Sequence, residues 1–334
     1  MKWPEAPAMG GTIMLIVQKF GGSSLADPER LRRAAGISLE ARRRGNRVVT
    51  VVSAAGDSTD ELLERARALT KHPDPRELDA LAATGEQQSA ALMAICIQSL
   101  GGKARSLTGW QAGILSDPRH GDARICLVVP ARIEQALAAG EIAVVTGFQA
   151  VSPQGEITTL GRGGSDTSAV ALAAALGAER CEIYTDVDGI YTADPRLVPG
   201  AKLLEQIDFR DMLALAEAGS QVLHPRSVAL AEANGTEIRL LSSFRPGPGS
   251  VVRNLAEQER PPIAGVTRDA EKSVVTAVGR AVGPDMLEHL EEVLKENGIV
   301  PLRGEAGGGR LQIQVAPDRL LPALALTHRS IFEA

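Results

Sequence analysis

A chain of 334 residues with 44% hydrophobic content is long enough to bury a full core, and its length suggests one large domain and a smaller one. The 36 lysines and arginines stand against 41 acidic residues, and a net charge of -5 offers no basic footprint for nucleic acid or an anionic membrane. No run approaches the roughly 18 apolar residues that a membrane helix needs. Three widely spaced cysteines, Cys96, Cys126 and Cys181, each lie in an apolar run and read as buried free thiols of a reducing, cytoplasmic compartment. The leader MKWPEAPAMGGT lacks the apolar stretch of a signal peptide, so residues 1–13 are expected to be a disordered extension, with Met14 an alternative start to Met1.

Ile13 to Gln18 is a short apolar strand running into Lys19-Phe20-Gly21-Gly22-Ser23-Ser24. Glycines there let the backbone approach a phosphate, and the lysine reaches it as a point charge; a plain glycine turn with a solvated lysine fits as well. There is no G-x-x-x-x-G-K-[ST], so this is not a P-loop. Asp27-Pro28 opens a helix that runs to about Arg44 before Gly45. Val48 to Val52 is a β-branched run of the kind found in a parallel strand buried on both faces. The small-residue loop Ser53 to Asp60 either binds ligand through its hydroxyls or caps the helix beginning near Asp60, and capping is the simpler reading. Thr84-Gly85-Glu86 interrupts an otherwise helical segment from Arg76 to Leu100, which costs helix stability and points to a function for Glu86; a solvated glutamate is the alternative. Val144 to Phe148 is the next strand, and an SPQG turn at Ser152 to Gly155 follows.

The stretch from Thr158 to Arg196 organises the chain. It reads as a glycine-rich loop (Gly161, Gly163, Gly164), an alanine-rich helix, a strand at Cys181 to Thr185 and a second polar loop closing at Pro195. In an open α/β sheet two such loops face one crevice, and the helix between them starts where anions bind best. A phosphorylated ligand is expected there. Arg162 offers a planar fork, Ser165 a hydroxyl, and Asp166 and Asp186 the charge to orient a cation or a magnesium-bound nucleotide. Strands alternate with helices through Ser243, the pattern of an α/β fold with a doubly wound, mostly parallel sheet. Prolines and glycines at Pro246 to Gly249 and Pro261-Pro262 set the expected boundaries: a catalytic domain over 14–250, a linker over 251–262 and a small domain over 263–334. The last part reads as strand (Ile263 to Thr267), strand (Ser273 to Val278), helix (Pro284 to Glu296), strand (Ile299 to Leu302), strand (Arg310 to Val315) and helix (Leu320 to Phe332), an α+β unit of ferredoxin-like type.

With these loops in order, the chain resembles the aspartate kinases of the amino-acid kinase family. KFGGSS, SAAGDSTDELL, ATGEQQS, TTLGRGGSDTSA, YTDVDGIYTADPR and LHPRSV follow that family's order over roughly residues 14–260. The resemblance implies the amino-acid kinase fold with an ACT-like unit behind it, ATP and L-aspartate as substrates, magnesium (Mg2+) as the ion, L-aspartyl-4-phosphate as product, and a place in lysine, threonine and methionine (diaminopimelate) biosynthesis. It implies Lys19, Phe20, Gly21 and Gly22 around the ATP phosphates, and Thr185, Asp186, Tyr191, Arg196, Gln221 and Val222 lining the nucleotide pocket. Aspartate is implied to lie among Ser53, Thr59, Glu86, Arg162 and Ser165, and Lys19, Arg162 and Asp166 to be catalytic, with Asp166 the organising acid.

Gln221 stands where the family usually has a lysine, which leaves Lys19, Arg196 and magnesium as the cations at the phosphates. The residues after Pro261 suffice for about one ACT-type unit where the family usually carries two. A homodimer through that unit is therefore expected, covering Val274, Leu290 and Ile313, with weak or no inhibition by lysine or threonine. Two alternatives share the fold: a kinase of another small carboxylate, and a non-catalytic amino-acid-sensing subunit. Retention of Lys19, Glu86, Arg162 and Asp166 together favours an enzyme.

Overall fold

The computed structural model describes residues 13–333, so the extension expected over 1–13 lies outside the described residues except for Ile13. The chain forms two compact units, one of residues 13–188 with 233–248 and one of 189–232 with 249–333.

In the first unit β1 (Leu15–Phe20) is buried at nearly every position, as its apolar run requires. Helix α1 (Pro28–Arg43) starts where the Asp27 carboxylate accepts the Arg30 N–H at 2.8 Å, and ends before Gly45, whose φ of 94° suits glycine. There follow β2 (Arg47–Val52), α2 (Ser58–Leu69), α3 (Pro75–Ser99), β3 (Ala104–Leu107), β4 (Ile114–Ser116), β5 (Ile125–Val128), α4 (Ala131–Ala138), β6 (Ile142–Thr146), β7 (Gln149–Val151), β8 (Ile157–Thr159), α5 (Gly164–Leu176) and β9 (Arg180–Thr185). Next come β10 (Ile190–Tyr191), β11 (Leu203–Leu204), β12 (Gln206–Asp208), α6 (Phe209–Glu217) and α7 (Pro225–Asn234), and then β13 (Ile238–Ser242), which belongs to the first unit.

The first unit's long strands lie in the order β13-β9-β1-β2-β6-β3, and every neighbouring pair is parallel. From β1 the chain steps to β2 on one side, while β9 and β13 lie on the other. The boundary between β1 and β9 is therefore the switch point at whose carboxyl ends a doubly wound sheet opens a crevice. Helices α1 and α3 close one face through Ala34, Ala35, Met93 and Ile97 against Phe20, Val48, Val52 and Ile142. Each large side chain fully buried in this way contributes roughly 1.5–3 kcal/mol. Beside this sheet stands a small one, β5-β4-β7-β8.

Two expectations change here. Helix α3 runs without a break through Thr84-Gly85-Glu86. Strand β6 ends at Thr146 rather than Phe148, because Phe148 turns out of the strand with a φ of 67°.

The second unit adds β14 (Ser250–Arg253), β15 (Gly265–Asp269), β16 (Val274–Val278), α8 (Pro284–Glu296), β17 (Arg303–Gly307), β18 (Arg310–Gln314) and α9 (Leu320–Phe332). Its antiparallel sheet has the order β15-β16-β18-β17, a ferredoxin-like arrangement whose edge strand beside β16 comes first in the chain rather than last. Its core joins Val266, Val275, Leu290, Leu294, Leu311 and Ile313 to Ala193 and Val198, so the stretch after β10 packs with the C-terminal sheet. Residues 251–262, expected as a linker, are built into this unit. Strand β14 pairs with β12, and the Arg260 guanidinium is buried on Asp211 at 2.6 Å.

Leu290 and Ile313 are covered within the chain, at 1% and 0% exposure, and do not wait for a second copy to bury them. The strand expected at Ile299 to Leu302 lies instead at β17, while Val300 and Leu302 are 70% and 65% exposed. No helix among the described residues is long and apolar enough to cross a membrane.

Candidate active site

A cleft of about 270 Å³ opens at the carboxyl ends of β1, β2 and β6. The loops after β1 and β2 meet there backbone to backbone. A Cβ on Gly22 would fall 2.8 Å from the Ala54 carbonyl oxygen, and the Gly56 N–H donates to the Gly22 carbonyl at 3.0 Å. Only glycine fits at position 22. The contact brings Lys19 from β1 and Ser53, Ala54, Gly56 and Thr59 from the next loop and α2 into one wall.

The opposite wall is the start of α5. Its N-cap is Gly163 in the left-handed region, no side chain caps it, and Gly161, Gly163, Gly164, Ser165 and Asp166 all line the cleft. An open helix N-terminus presents N–H groups and the positive end of the dipole, which favours an anion. Asp166, in the first turn, pairs with the Lys19 ammonium at 2.7 Å, the two side chains 14% and 12% exposed. This pair puts one cation and one carboxylate at the same end of the cleft.

Glu86 occupies a different part of the wall. A Cβ on Gly85 would fall 2.8 Å from the Ala54 Cβ, so the glycine lets α3 approach the loop closely enough to put Glu86 in the cleft. Glu86 Oε1 accepts the Ala54 N–H at 3.0 Å, and Oε2 is buried with no partner. The residue is 3% exposed. Burial pushes its pKa up to about 7, against the lowering effect of the Ala54 N–H. A ligand ammonium would satisfy the bare oxygen and draw the group to its ionised form.

Phe148 also lines the cleft. Its N–H donates to Ser168 Oγ at 3.1 Å and its carbonyl accepts the Leu160 N–H at 2.8 Å, which hold a bulky residue in a conformation that costs energy. Sequence reasoning missed Phe148, Ala54 and Gly56 as wall residues. The available signal was a Gly-Phe step directly after a buried strand.

Of the residues expected to bind substrates, Lys19, Gly22, Ser53, Thr59, Glu86, Ser165 and Asp166 come together in the cleft. Gly21 adjoins it, since a Cβ there would fall 3.5 Å from Lys19 Nζ, and its N–H donates to the Tyr184 carbonyl at 3.3 Å. Phe20 lies beside these residues in sequence but turns its side chain the other way. Its side chain is fully buried and stacked on Tyr184 at 4.8 Å, so it serves the core and leaves only its backbone for a ligand. Arg162 is exposed on its loop, between two glycines of the wall. Thr185 Oγ1 donates to Asp186 at 3.0 Å at the end of β9, and Asp186 is exposed.

Tyr191, Arg196, Gln221 and Val222 belong to the second unit. There Tyr191 is half-buried on β10, Arg196 pairs with Asp194 at 2.8 Å, Gln221 is exposed and Val222 half-buried. The loop hydroxyls also differ from the capping reading. Asp57, the N-cap of α2, makes no side-chain capping bond, and of the hydroxyls only Ser58 turns back, to the Ala55 carbonyl at 2.5 Å, while Ser53 and Thr59 line the cleft. The thiols are free, but only Cys181 is buried; Cys126 is exposed and Cys96 half-buried.

Among the described residues no group of three or more His, Cys, Asp or Glu side chains is placed to hold a metal. The donors fit magnesium carried in on a nucleotide better than a resident ion, since magnesium asks for one or two carboxylates plus phosphates and water, and Asp166 is such a carboxylate.

A parallel, doubly wound sheet with an anion-favouring helix start at the carboxyl ends of its central strands defines an open α/β protein built to bind a ligand there. The chain belongs to the amino acid kinase family, whose model matches residues 14–242. It is similar to the aspartokinase of Mycolicibacterium smegmatis, 50% identical over 79% of this chain and 64% of that one. It therefore spans a little under two thirds of that relative's length. Among solved structures it is similar to the aspartate kinase from Synechocystis, with a TM-score of 0.66 and 38% identity over 93% of this chain and 54% of that one. It shares its fold with E. coli aspartokinase III, solved in complex with aspartate and ADP, at a TM-score of 0.68 and 24% identity over 94% of this chain and 84% of that one.

Proposed function

We propose that the protein is an aspartate kinase. It transfers the γ-phosphoryl group of ATP to the β-carboxylate of L-aspartate, giving L-aspartyl-4-phosphate for lysine, threonine and methionine synthesis in the cytoplasm. The observation that carries the reading is the division of one small cleft. Glu86 offers a bare, buried carboxylate oxygen to an ammonium, and Lys19 with the open start of α5 offers positive charge to anions. A cleft of about 270 Å³ is just under the range usual for drug-sized ligands and suits an acceptor as small as an amino acid. The complex of E. coli aspartokinase III with aspartate and ADP supports the same pairing of ligands.

The chemistry needs no general base. A β-carboxylate with a pKa of about 3.9 is already ionised at neutral pH, so the protein's work is to bring two anions together. Lys19 and the α5 amides neutralise charge that spreads over the transferred phosphoryl oxygens. Glu86 receives the ammonium, Ser53, Thr59 and Ser165 offer hydroxyls to the carboxylates, and Arg162 closes on a carboxylate with its planar fork. Asp166 would hold magnesium borne by the nucleotide, and that ion supplies further neutralisation of phosphate charge. Thr185, Asp186, Tyr191, Arg196, Gln221 and Val222 take the nucleotide in this reading, with the backbone of Lys19 to Gly22 at its phosphates. The catalytic domain is assigned to 14–250, and the ferredoxin-like unit serves as an ACT-like domain through which two chains pair.

The test is to trap the acyl phosphate. With ATP, magnesium and hydroxylamine, aspartate hydroxamate is expected to form only when L-aspartate is present. Formation with another small carboxylate but not with aspartate would move the acceptor, and none with any acceptor, from a chain that binds ATP, would make the protein a sensor.

A further inference from the structure

We propose that Asp79 is a positioning residue for the acceptor side of the cleft, its buried carboxylate pinning the two chain segments that set the place of the glycine-rich loop. The choice of aspartate as the affected substrate rests on the function proposed above; the pinning itself does not. Asp79 and Glu86 stand at i and i+7 on α3, two turns apart and so on one face of the helix. Glu86 reaches the cleft, and Asp79 reaches the framework behind it.

Asp79 is 2% exposed. Its carboxylate accepts the Thr159 N–H at 3.0 Å and the Thr159 hydroxyl at 2.5 Å, both at the end of β8. It also accepts the Gly121 N–H at 3.1 Å and faces His120 Nδ1 at 2.8 Å. A carboxylate only accepts, so His120 carries its proton on Nδ1. Four bonds to one side chain use nearly all of its lone-pair directions. They tie α3 to two segments that are far apart in sequence.

Both segments bear on the same loop. Thr159 is followed by Leu160-Gly161, and its carbonyl accepts the Ala123 N–H at 2.9 Å. Gly161 has a φ of 70°, and a Cβ there would fall 3.0 Å from the Gly121 carbonyl oxygen and 3.1 Å from Asp122 Oδ1. The turn at 120–122 is thus the backing on which Gly161 rests, and Gly161, Gly163 and Ser165 form the wall in front. Release of the carboxylate from either segment lets that wall shift, and a displacement near 1 Å costs up to about 100-fold in a site built on position. A buried carboxylate is an expensive way to fill space, and its bonds here are spent on geometry.

The test uses variants of different severity in the full chain. Thr159→Val deletes one bond and keeps the shape, Thr159→Ser restores the hydroxyl, and Asp79→Asn turns an acceptor oxygen into a donor facing other donors. Thr159→Val and Asp79→Asn are expected to raise KM for aspartate about 10-fold, with KM for ATP within about two-fold of the parent, and Thr159→Ser to return it to the parent value. Hydrogen exchange is expected to quicken at residues 159–166 and to stay unchanged in β1. An unchanged KM for aspartate, or an equal rise for both substrates, would overturn the positioning role. If the parent chain turns over no aspartate, the exchange readout decides alone: protected amides at 159–166 in the variants overturn the pinning, and quickened ones support it while the substrate assignment fails separately. Should Asp79→Asn not fold, the Thr159 pair carries the comparison.

Discussion

Glu86 has one oxygen on the Ala54 amide, the other bare, and a pKa lifted to about 7 by burial. Because the folded value lies above the ordinary 4.5, the native state holds a proton that the unfolded chain gives up. The associated stability is fully present below about pH 4.5 and is lost as pH rises through about 7. The difference between the two values corresponds to about 3 kcal/mol at most. Glu86→Gln cannot titrate, so its stability relative to the parent is expected to rise by up to that amount between pH 4.5 and 8 in denaturant titrations. A difference that does not change with pH would place the carboxyl in water.

Lys19, at the other end of the cleft, is the cation beside the reacting phosphoryl group in the proposed reaction. Lys19→Ala is expected to lower kcat by at least about 100-fold while the fold is kept, and near-normal turnover would remove it from the chemistry. Lys19, Glu86 and Asp166 were legible in the sequence because each is a charged residue within two positions of a glycine in one of the ordered motifs. Phe148 was not, since its role comes from a backbone angle, and the side chain of Phe20 belongs to the core although its neighbours belong to the cleft.

At the scale of elements, Gly85 shows what the sequence left ambiguous. It read as a break in a helix, yet α3 is continuous and the glycine is there for the closeness of Ala54. Gly85→Ala should gain roughly 1 kcal/mol of helix propensity and lose about 1–3 kcal/mol to overpacking, so a net fall in Tm is expected, with weaker aspartate binding as Glu86 is pushed back. A rise in Tm would mean that loop and helix yield freely.

Helices α1, α8 and α9 were readable to within a residue or two because Asp27-Pro28, Gly283-Pro284 and the apolar spacing after Arg319 mark their starts. The strands β4, β5, β7 and β8 escaped notice, being only three or four residues long and stabilised by one another rather than by their own patterns. Strand β17, RGEAG, has two glycines, two charges and no apolar stripe; it is a strand because β18 pairs with it.

At the scale of the molecule, the fold class was readable from the alternation of strands and helices, but the division into units was not. The stretch carrying Ala193 and Val198 shares a core with the C-terminal sheet, and no local signal announces a partner about 70 or more residues away. The proposed pairing of two chains belongs to this scale as well. With Leu290 and Ile313 already covered, what the second unit offers a partner includes the edge strand β17 and the exposed Val300, Leu302 and Leu321. Light scattering at micromolar concentration is expected to give twice the chain mass of 35.1 kDa, and 35.1 kDa alone would contradict the pairing.

In the proposed reaction one cleft brings the carboxylate of aspartate to the γ-phosphoryl group of ATP. The direct measurement is ADP release by the intact chain with magnesium and ATP, with and without L-aspartate, run beside Lys19→Ala. Turnover that requires aspartate and falls at least about 100-fold in the variant is the predicted result. Turnover indifferent to aspartate, or equal in the two proteins, would contradict it.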